Sequence, residues 1–376
     1  MKLGYKTSDF FNPTHTIIGI DPINWLRLLW RNGFAIDIRF WPKAFFLTIF
    51  IILNSPFQLY EYVFYSKKIK RIKVKRPIFI LGHPRSGTTY LHYVLSQDPR
   101  FAFCQTYEGL VPHVFLSGGA IVKSILKNFM PDTRPQDNVK AGASLPIEEE
   151  FAMGSISQAS WVQGLYFPKS IFDVFDEYVT FQRGEEKKDQ WKKHFLFFVQ
   201  KLVYRNPNKT LLLKSPCNTA RIKEIVEVFP DARFIHIHRN PYEVFVSNEG
   251  LYEKILPLLG FHRVENEFMQ KYVLYAYEEL YRKYFHDSAT LSENQLYELP
   301  YASFIADPLN ELRKAYQQLA LGSFDEVESF LMKEVKLAEN YRKNSYSVIG
   351  KEVIGQINIR WKFAFDAFGY KMEEVK

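Results

Sequence analysis

Four short stretches of the chain are apolar at almost every position and end in turn residues: RPIFILG (76–82), FAFC (101–104), TLLLKSP (210–216) and ARFIHIHR (232–239). LYELPYASF (296–304) repeats the theme. Runs of this length without polar alternation predict strands covered on both faces. Between them the period changes to that of a helix. Leu91, Val94 and Leu95 share one face of TTYLHYVLSQ (88–97), and Ile222, Ile225, Val226 and Phe229 share another after the third run. Asn240-Pro241 reads as an N-cap and first helical residue, and LNELRKAYQQLAL (309–321) as a further helix. Strands alternating with helices predict an α/β fold, a mostly parallel sheet flanked by helices. Residues 110–200, richer in Gly and Pro and less periodic, predict a helical insertion over the sheet's active edge.

The first 75 residues follow no such alternation. AFFLTIFIIL (44–53) is followed by Asn54, Pro56, Gln58 and Glu61. Ten apolar residues are too few to span a bilayer, and the polar residues are expected to interrupt any extension. The stretch begins too far into the chain for a signal peptide. It reads as an aromatic-rich helical segment on a membrane surface or over a greasy pocket, or else as a buried core helix before a solvated charged edge. The expected organisation is therefore an N-terminal segment, 1–75, and one domain, 76–376.

Charge sharpens this division. The formal net charge of the 376 residues is +8, and KKIKRIKVKR (67–76) holds seven Lys and Arg with no acid. Without that run, 42 basic residues face 41 acidic ones. The excess is local, which speaks against nucleic acid as a partner, since that needs a basic face across a domain. It suits anionic lipid head groups and peripheral membrane contact through 44–76. Two cysteines, Cys104 and Cys217, supply neither a disulfide framework nor a Cys-rich metal site, and point to a reducing cytoplasmic setting.

The loop GHPRSGTT (82–89) joins the first strand to the first helix of the alternating region. It keeps the Gly-x-x-x-x-Gly of a phosphate-binding P-loop but has Thr88 where a triphosphatase has Lys, and carries Arg85 inside the turn. A strand, a Gly turn and a helix N-terminus together present several N–H groups to an anion. Two more polar groups sit at strand ends: Lys214 in LLLKSP and Arg239 in RNPYEVFVS, with Ser247 two helical turns beyond Arg239. Ligands of open α/β sheets bind at the carboxyl ends of strands, where all three motifs lie.

PRSGTT after a first strand, followed by FPDARFIHIHRNPYEVFVS, resembles the bacterial-type sulfotransferases that use 3′-phosphoadenosine 5′-phosphosulfate (PAPS). The resemblance runs from residue 77 to about 370. It implies a P-loop-like fold, transfer of a sulfuryl group in line to an alcohol, 3′,5′-adenosine diphosphate as product, and no required metal. It also implies that Arg85, Ser86, Gly87, Thr88 and Thr89 grip the 5′-phosphosulfate, and Arg239 and Ser247 the 3′-phosphate. Arg342, Lys343 and Asn344 resemble the basic stretch that closes over the nucleotide. Arg85, with Lys214, would offset charge on the bridging oxygen.

An attacking alcohol must lose a proton, so a general base is expected. Glu108 is the first candidate and His113 the second, both just after the FAFC strand. Glu148, Glu149 and Glu150 read as a solvated helix start or as orienting groups, and His92 as packed rather than reactive. The aromatic content, 34 Phe and 23 Tyr, and the greasy N-terminal stretch point to a lipophilic acceptor: a sterol, a hydroxylated quinone side chain or a glycolipid. Two rivals remain. A nucleotide kinase should show the missing Lys and a Mg²⁺-holding acidic strand end; a non-catalytic basic membrane-binding protein leaves the strand-end groups unexplained.

Overall fold

A computed structural model of the chain describes residues 15–130, 132–134, 139–338 and 349–374. The chain divides into two compact units. One holds residues up to 74, 103–209 and 251–269; the other holds 75–102, 210–250 and 270–376.

The first unit is helical. Asp21 caps α1 (Pro22–Arg31), accepting from the Asn24 N–H at 3.0 Å. The apolar N-terminal stretch forms part of α2 (Trp41–Ile69), one helix of 29 residues. Asn54, Pro56, Gln58 and Glu61 do not interrupt it, contrary to the expectation from sequence. Pro56 supplies no N–H to the Ile52 carbonyl one turn back. Ser55 Oγ donates to that carbonyl instead, at 2.8 Å, so the acceptor is not stranded. Gln58 and Glu61 are buried at 6% and 2% exposure because they face the unit and not solvent. The region expected to be a helical insertion contains the helices Gly119–Phe129, Glu149–Ile156, Val162–Tyr166, Ile171–Tyr178 and Glu185–Arg205.

The second unit carries the sheet. Strands β1 (Ile78–Leu81), β2 (Phe101–Phe103), β3 (Thr210–Lys214), β4 (Arg233–His238) and β5 (Leu296–Pro300) lie in the order β2-β3-β1-β4-β5. β1 pairs in parallel with both β3 and β4, and β4 with β5. The uninterrupted apolar runs follow from burial on both faces. Ile78, Ile80, Leu212, Ile235 and Ile237 pack with Leu91, Val94 and Leu95 of α3 (Thr88–Leu95) and with Leu312. On the other side the Phe79 ring lies 5.7 Å from Phe234 and 6.2 Å from Phe229. The fifth strand stops at Pro300 rather than running to 304, since a proline cannot donate to a continuing ladder. Tyr301–Ala306 is helical.

Candidate active site

The turn between β1 and α3 winds through three left-handed residues, Gly82 at φ 140°, Arg85 at 75° and Gly87 at 102°. Both glycines are sterically required. A Cβ on Gly82 would lie 2.4 Å from the Ile237 carbonyl oxygen, and one on Gly87 2.6 Å from the Tyr301 ring. At Arg85 a side chain takes a conformation that costs about 1–3 kcal/mol outside glycine. The surroundings hold the loop in that path. Gly82 N–H donates to Thr219 Oγ1 at 2.7 Å, and Asn248 Nδ2 donates to the Pro84 carbonyl at 3.0 Å. His83 is buried beside Tyr277, ring centroids 5.0 Å apart, and burial drives its pKa down to about 4. Its ring is neutral at pH 7.

Of the residues expected to grip the 5′ end, Ser86 is fully buried, Thr88 is buried and Thr89 half-buried, both at the start of α3. The first-turn N–H groups of a helix have no intrahelical acceptor. Here that first turn opens with Thr88 and Thr89, two and three residues after Ser86. Lys214 ends β3 opposite Ile80 of β1 and is 2% exposed. Its charge, after burial itself, is among the causes that hold His92 well below the usual imidazole range. His92 is a packed, neutral residue, as expected.

Arg85 Nε donates to Ser247 Oγ at 2.8 Å, so the structure joins two motifs that lie 162 residues apart. Ser247 was expected to act with Arg239. Arg239 lies near the same surroundings: its guanidinium sits over the Tyr301 ring at 4.5 Å, the ring that abuts Gly87. Arg239 Nε also donates to Glu243 Oε2 at 2.6 Å. Tyr301, Thr219 and Asn248 are functional candidates that motif reading missed. Asn248 follows Ser247 directly, and an amide on the buried side of a helix was the available signal; Tyr301 and Thr219 had none. Arg342, Lys343 and Asn344 lie outside the described residues.

The donor set of this loop is N–H, hydroxyl and cationic, with no carboxylate from 82 to 89. It fits a phosphosulfate: the Gly82, His83 and Ser86 N–H groups are taken by Thr219 Oγ1, Tyr281 OH and the His83 carbonyl and fix the turn, while Gly87, Thr88 and Thr89 bring the first-turn N–H groups of α3, the donors a helix offers to an anion.

The base candidates belong to the first unit. Glu108 lies in the short helix Thr106–Leu110 and is fully buried. One oxygen accepts the Gln105 N–H at 2.7 Å, and the other pairs with Arg205. Burial pushes its carboxyl pKa up, and Arg205 pulls it back. His113 has a side chain 24% exposed. Its Nε2 lies 3.2 Å from the Ser155 carbonyl, which can only accept, so Nε2 carries the proton and Nδ1 the lone pair. Burial lowers its pKa, against the pull of Asp21. Glu149 and Glu150 are each 1% exposed and not solvated. Glu150 Oε1 accepts from the Trp161 N–H at 2.9 Å and Ser160 Oγ at 3.0 Å, a structural role.

The sequence comparisons point to one family, and solved structures share the fold. The sequence pattern of the Sulfotransferase family matches residues 77–326. The omega-hydroxy-beta-dihydromenaquinone-9 sulfotransferase Stf3 of Mycobacterium tuberculosis is 31% identical over 355 residues, 94% of this chain and 90% of its own length. The Mycobacterium bovis protein of the same name matches equally. Among solved structures, the sulfotransferase STF9 from Mycobacterium avium aligns at a TM-score of 0.67 and 16% identity, covering 94% of this chain and 98% of its own. STF1 from Mycobacterium tuberculosis aligns at 0.61, covering 90% and 93%. A family pattern over most of the sheet-forming region, and a relative similar from end to end, make this chain a member of the sulfotransferase family.

Proposed function

We propose that the chain moves the sulfuryl group of PAPS to the hydroxyl of a lipophilic acceptor and leaves 3′,5′-adenosine diphosphate. The observation that carries this reading is the left-handed loop 82–87 with Arg85 tied to Ser247 at 2.8 Å, an anion cradle within a sulfotransferase sequence. Arg85, Ser86, Gly87, Thr88, Thr89 and Lys214 are assigned to the 5′-phosphosulfate, Arg239 and Ser247 to the 3′-phosphate. Arg342, Lys343 and Asn344 are assigned by resemblance to closure over the nucleotide. When bound, the donor supplies a sulfuryl group on a phosphate leaving group. Arg85 and Lys214 offset the charge that grows on the bridging oxygen, so the reaction needs no metal. Calorimetry with 3′,5′-adenosine diphosphate in EDTA tests this: binding is expected. No heat, with tight Mg-ATP binding, would replace the reading with a nucleotide kinase.

Glu108 is proposed as the general base. A carboxylate whose pKa is raised by burial is a stronger proton acceptor than a solvated one, and Arg205 fixes its orientation. One observation favours a second reading. His113 is 24% exposed, neutral, and keeps its Nδ1 lone pair, whereas Glu108 is fully buried. Two variants separate them. Glu108→Gln should lower turnover about 10²–10⁴-fold with nucleotide affinity kept. Normal turnover in that variant, with His113→Ala inactive, transfers the role to His113.

The relative's name specifies an omega-hydroxylated menaquinone, which favours a hydroxylated quinone side chain over a sterol or glycolipid. With labelled donor and separate lipid and water-soluble extracts, label is expected in the lipid phase. Label only in the soluble extract refutes a lipid acceptor. Cys104 and Cys217 are buried and not joined in a disulfide, in keeping with a cytoplasmic site of action at the membrane surface.

A further inference from the structure

Helix α2 has its polarity reversed relative to a helix on the surface of a soluble protein. Its buried stripe contains Lys43, Gln58, Glu61 and Ser66 beside Leu47, Ile51 and Ile69. The polar members are bonded to their own unit. Lys43 Nζ donates to the carbonyls of Leu258 and Gly260 at 3.1 and 2.9 Å. Gln58 Nε2 donates to the Ile20 carbonyl at 3.2 Å. Glu61 Oε2 accepts from the Leu116 and Ser117 N–H groups at 2.9 and 2.7 Å and from Ser117 Oγ at 2.8 Å, while Oε1 pairs with Lys201. The opposite face is apolar: Phe45, Phe46, Leu53, Phe57 and Phe64 are each 58–68% exposed. Trp30 at the end of α1 adds a ring 75% exposed. In the last turn of the helix and directly after it, Lys67, Lys68, Lys70, Arg71 and Lys73 are all exposed on the same unit.

We propose that this face of α1 and α2 lies in one leaflet of an anionic bilayer, in the membrane plane, with the 67–73 cations on the lipid head groups. By length and composition alone the helix could cross a membrane. Its bonds argue for lying flat. Lys43 near one end and Glu61 toward the other are both fastened to the unit, so the helix runs along the protein. Spanning would carry a Lys, a Gln and a Glu into hydrocarbon without these partners. Flat insertion keeps every polar bond and covers only apolar side chains. The basic run supplies the charge complementarity that selects an anionic surface over a second copy of the same cationic unit.

The chain contains its own reporters. Of its six Trp, Trp30 and Trp41 are 75% and 63% exposed on this face; Trp25, Trp161, Trp191 and Trp361 are buried. The intact protein is mixed, without donor, with phosphatidylcholine vesicles containing about one third phosphatidylglycerol or none. Co-sedimentation with the anionic vesicles and quenching by brominated acyl chains are expected. Phe46→Glu/Phe57→Glu should weaken binding at least tenfold while keeping the circular dichroism and nucleotide binding of the parent. Lys68→Glu/Arg71→Glu should remove the preference for anionic vesicles. Cysteines introduced as Arg39→Cys and Lys73→Cys, at exposed polar positions flanking the two ends of α2, should both react with an impermeant maleimide from outside. Protection of one end would overturn the in-plane geometry. Wild-type affinity in the Phe variant, or a dimeric mass in solution with no vesicle binding, would overturn the membrane face. Since no donor is present, either failure leaves the sulfuryl-transfer reading untouched.

Discussion

Glu61→Gln keeps the shape of the α2 side chain and removes one charge from a buried site. The amide oxygen can still accept from Leu116, Ser117 N–H and Ser117 Oγ, so those contacts weaken without being orphaned. The larger effect falls on Lys201. Its side chain is 5% exposed, and burial already lowers its pKa while Glu61 holds it up. Breaking a buried pair by removing one partner costs about 3–5 kcal/mol. There is also a ceiling. Lys201 can escape by losing its proton, which from the ordinary value of 10.5 costs at most about 5 kcal/mol at pH 7 and about 2 at pH 9. The expected penalty is therefore about 3–5 kcal/mol at neutral pH and shrinks as pH rises. At about 2–4 °C per kcal/mol for a unit of this size, the melting midpoint should fall by roughly 6–20 °C at pH 7. Calorimetric melts at pH 7 and 9 read both numbers. Adding Lys201→Met should restore part of the loss, since no uncompensated charge remains. A midpoint within about 2 °C of the parent at pH 7, or a penalty unchanged at pH 9, refutes the reasoning.

Arg239→Ala leaves a dianionic 3′-phosphate without a charge-assisted partner and should weaken donor binding by about 1.5–3 kcal/mol, read as a raised KM. Equal use of a 3′-dephospho donor by the unaltered enzyme would defeat that assignment. Glu243→Gln removes the carboxylate that occupies Arg239; the pair is 48% exposed on the Glu side, so at most about 1 kcal/mol is freed. Nucleotide affinity should rise up to about fivefold by calorimetry, and unchanged or weaker binding counts against competition for Arg239. His83 is neutral and buried with a folded pKa of about 4 against 6.5. The unfolded chain binds its proton first, so stability is present above pH 6.5 and is lost as pH falls, on the order of 2 kcal/mol by pH 5. His83→Asn should melt with a shallower acid slope between pH 6.5 and 5, and an identical slope would show that the ring is not the titrating group.

The sheet and the anion loop were legible because their signals are local. β1, β3 and β4 are apolar runs, and the three strand-end motifs are contiguous in sequence. What escaped depends on distant partners. Pro56 and Glu61 look like interruptions of α2 until Ser55 Oγ is seen on the Ile52 carbonyl and Lys201 on Glu61. Glu149 and Glu150 look like a solvated first turn until Trp161 and Ser160 are placed against Glu150. Ser247 and Arg239 read as two groups for one anion, and the bond from Arg85 to the Ser247 hydroxyl, across 162 residues, has no signal in the sequence. A one-dimensional pattern records the residue type and its period, but not which remote group neutralises it.

The first unit is assembled from three separate pieces of chain, the last ending at residue 269. During synthesis Ile20, which accepts from Gln58, precedes α2, but Leu116, Ser117, Lys201, Leu258 and Gly260 leave the ribosome after it. Lys201 follows Glu61 by roughly 140 residues, which at about 5–20 residues per second is on the order of ten seconds or more. For that interval the nascent helix exposes both its phenylalanines and an unpaired carboxylate. Its early encounters are thus set by the timing of translation: a chaperone or a lipid surface can meet α2 before Lys201 does. Synonymous changes that slow elongation between codons 70 and 200 should lengthen that window and lower the yield of soluble enzyme without altering a single residue.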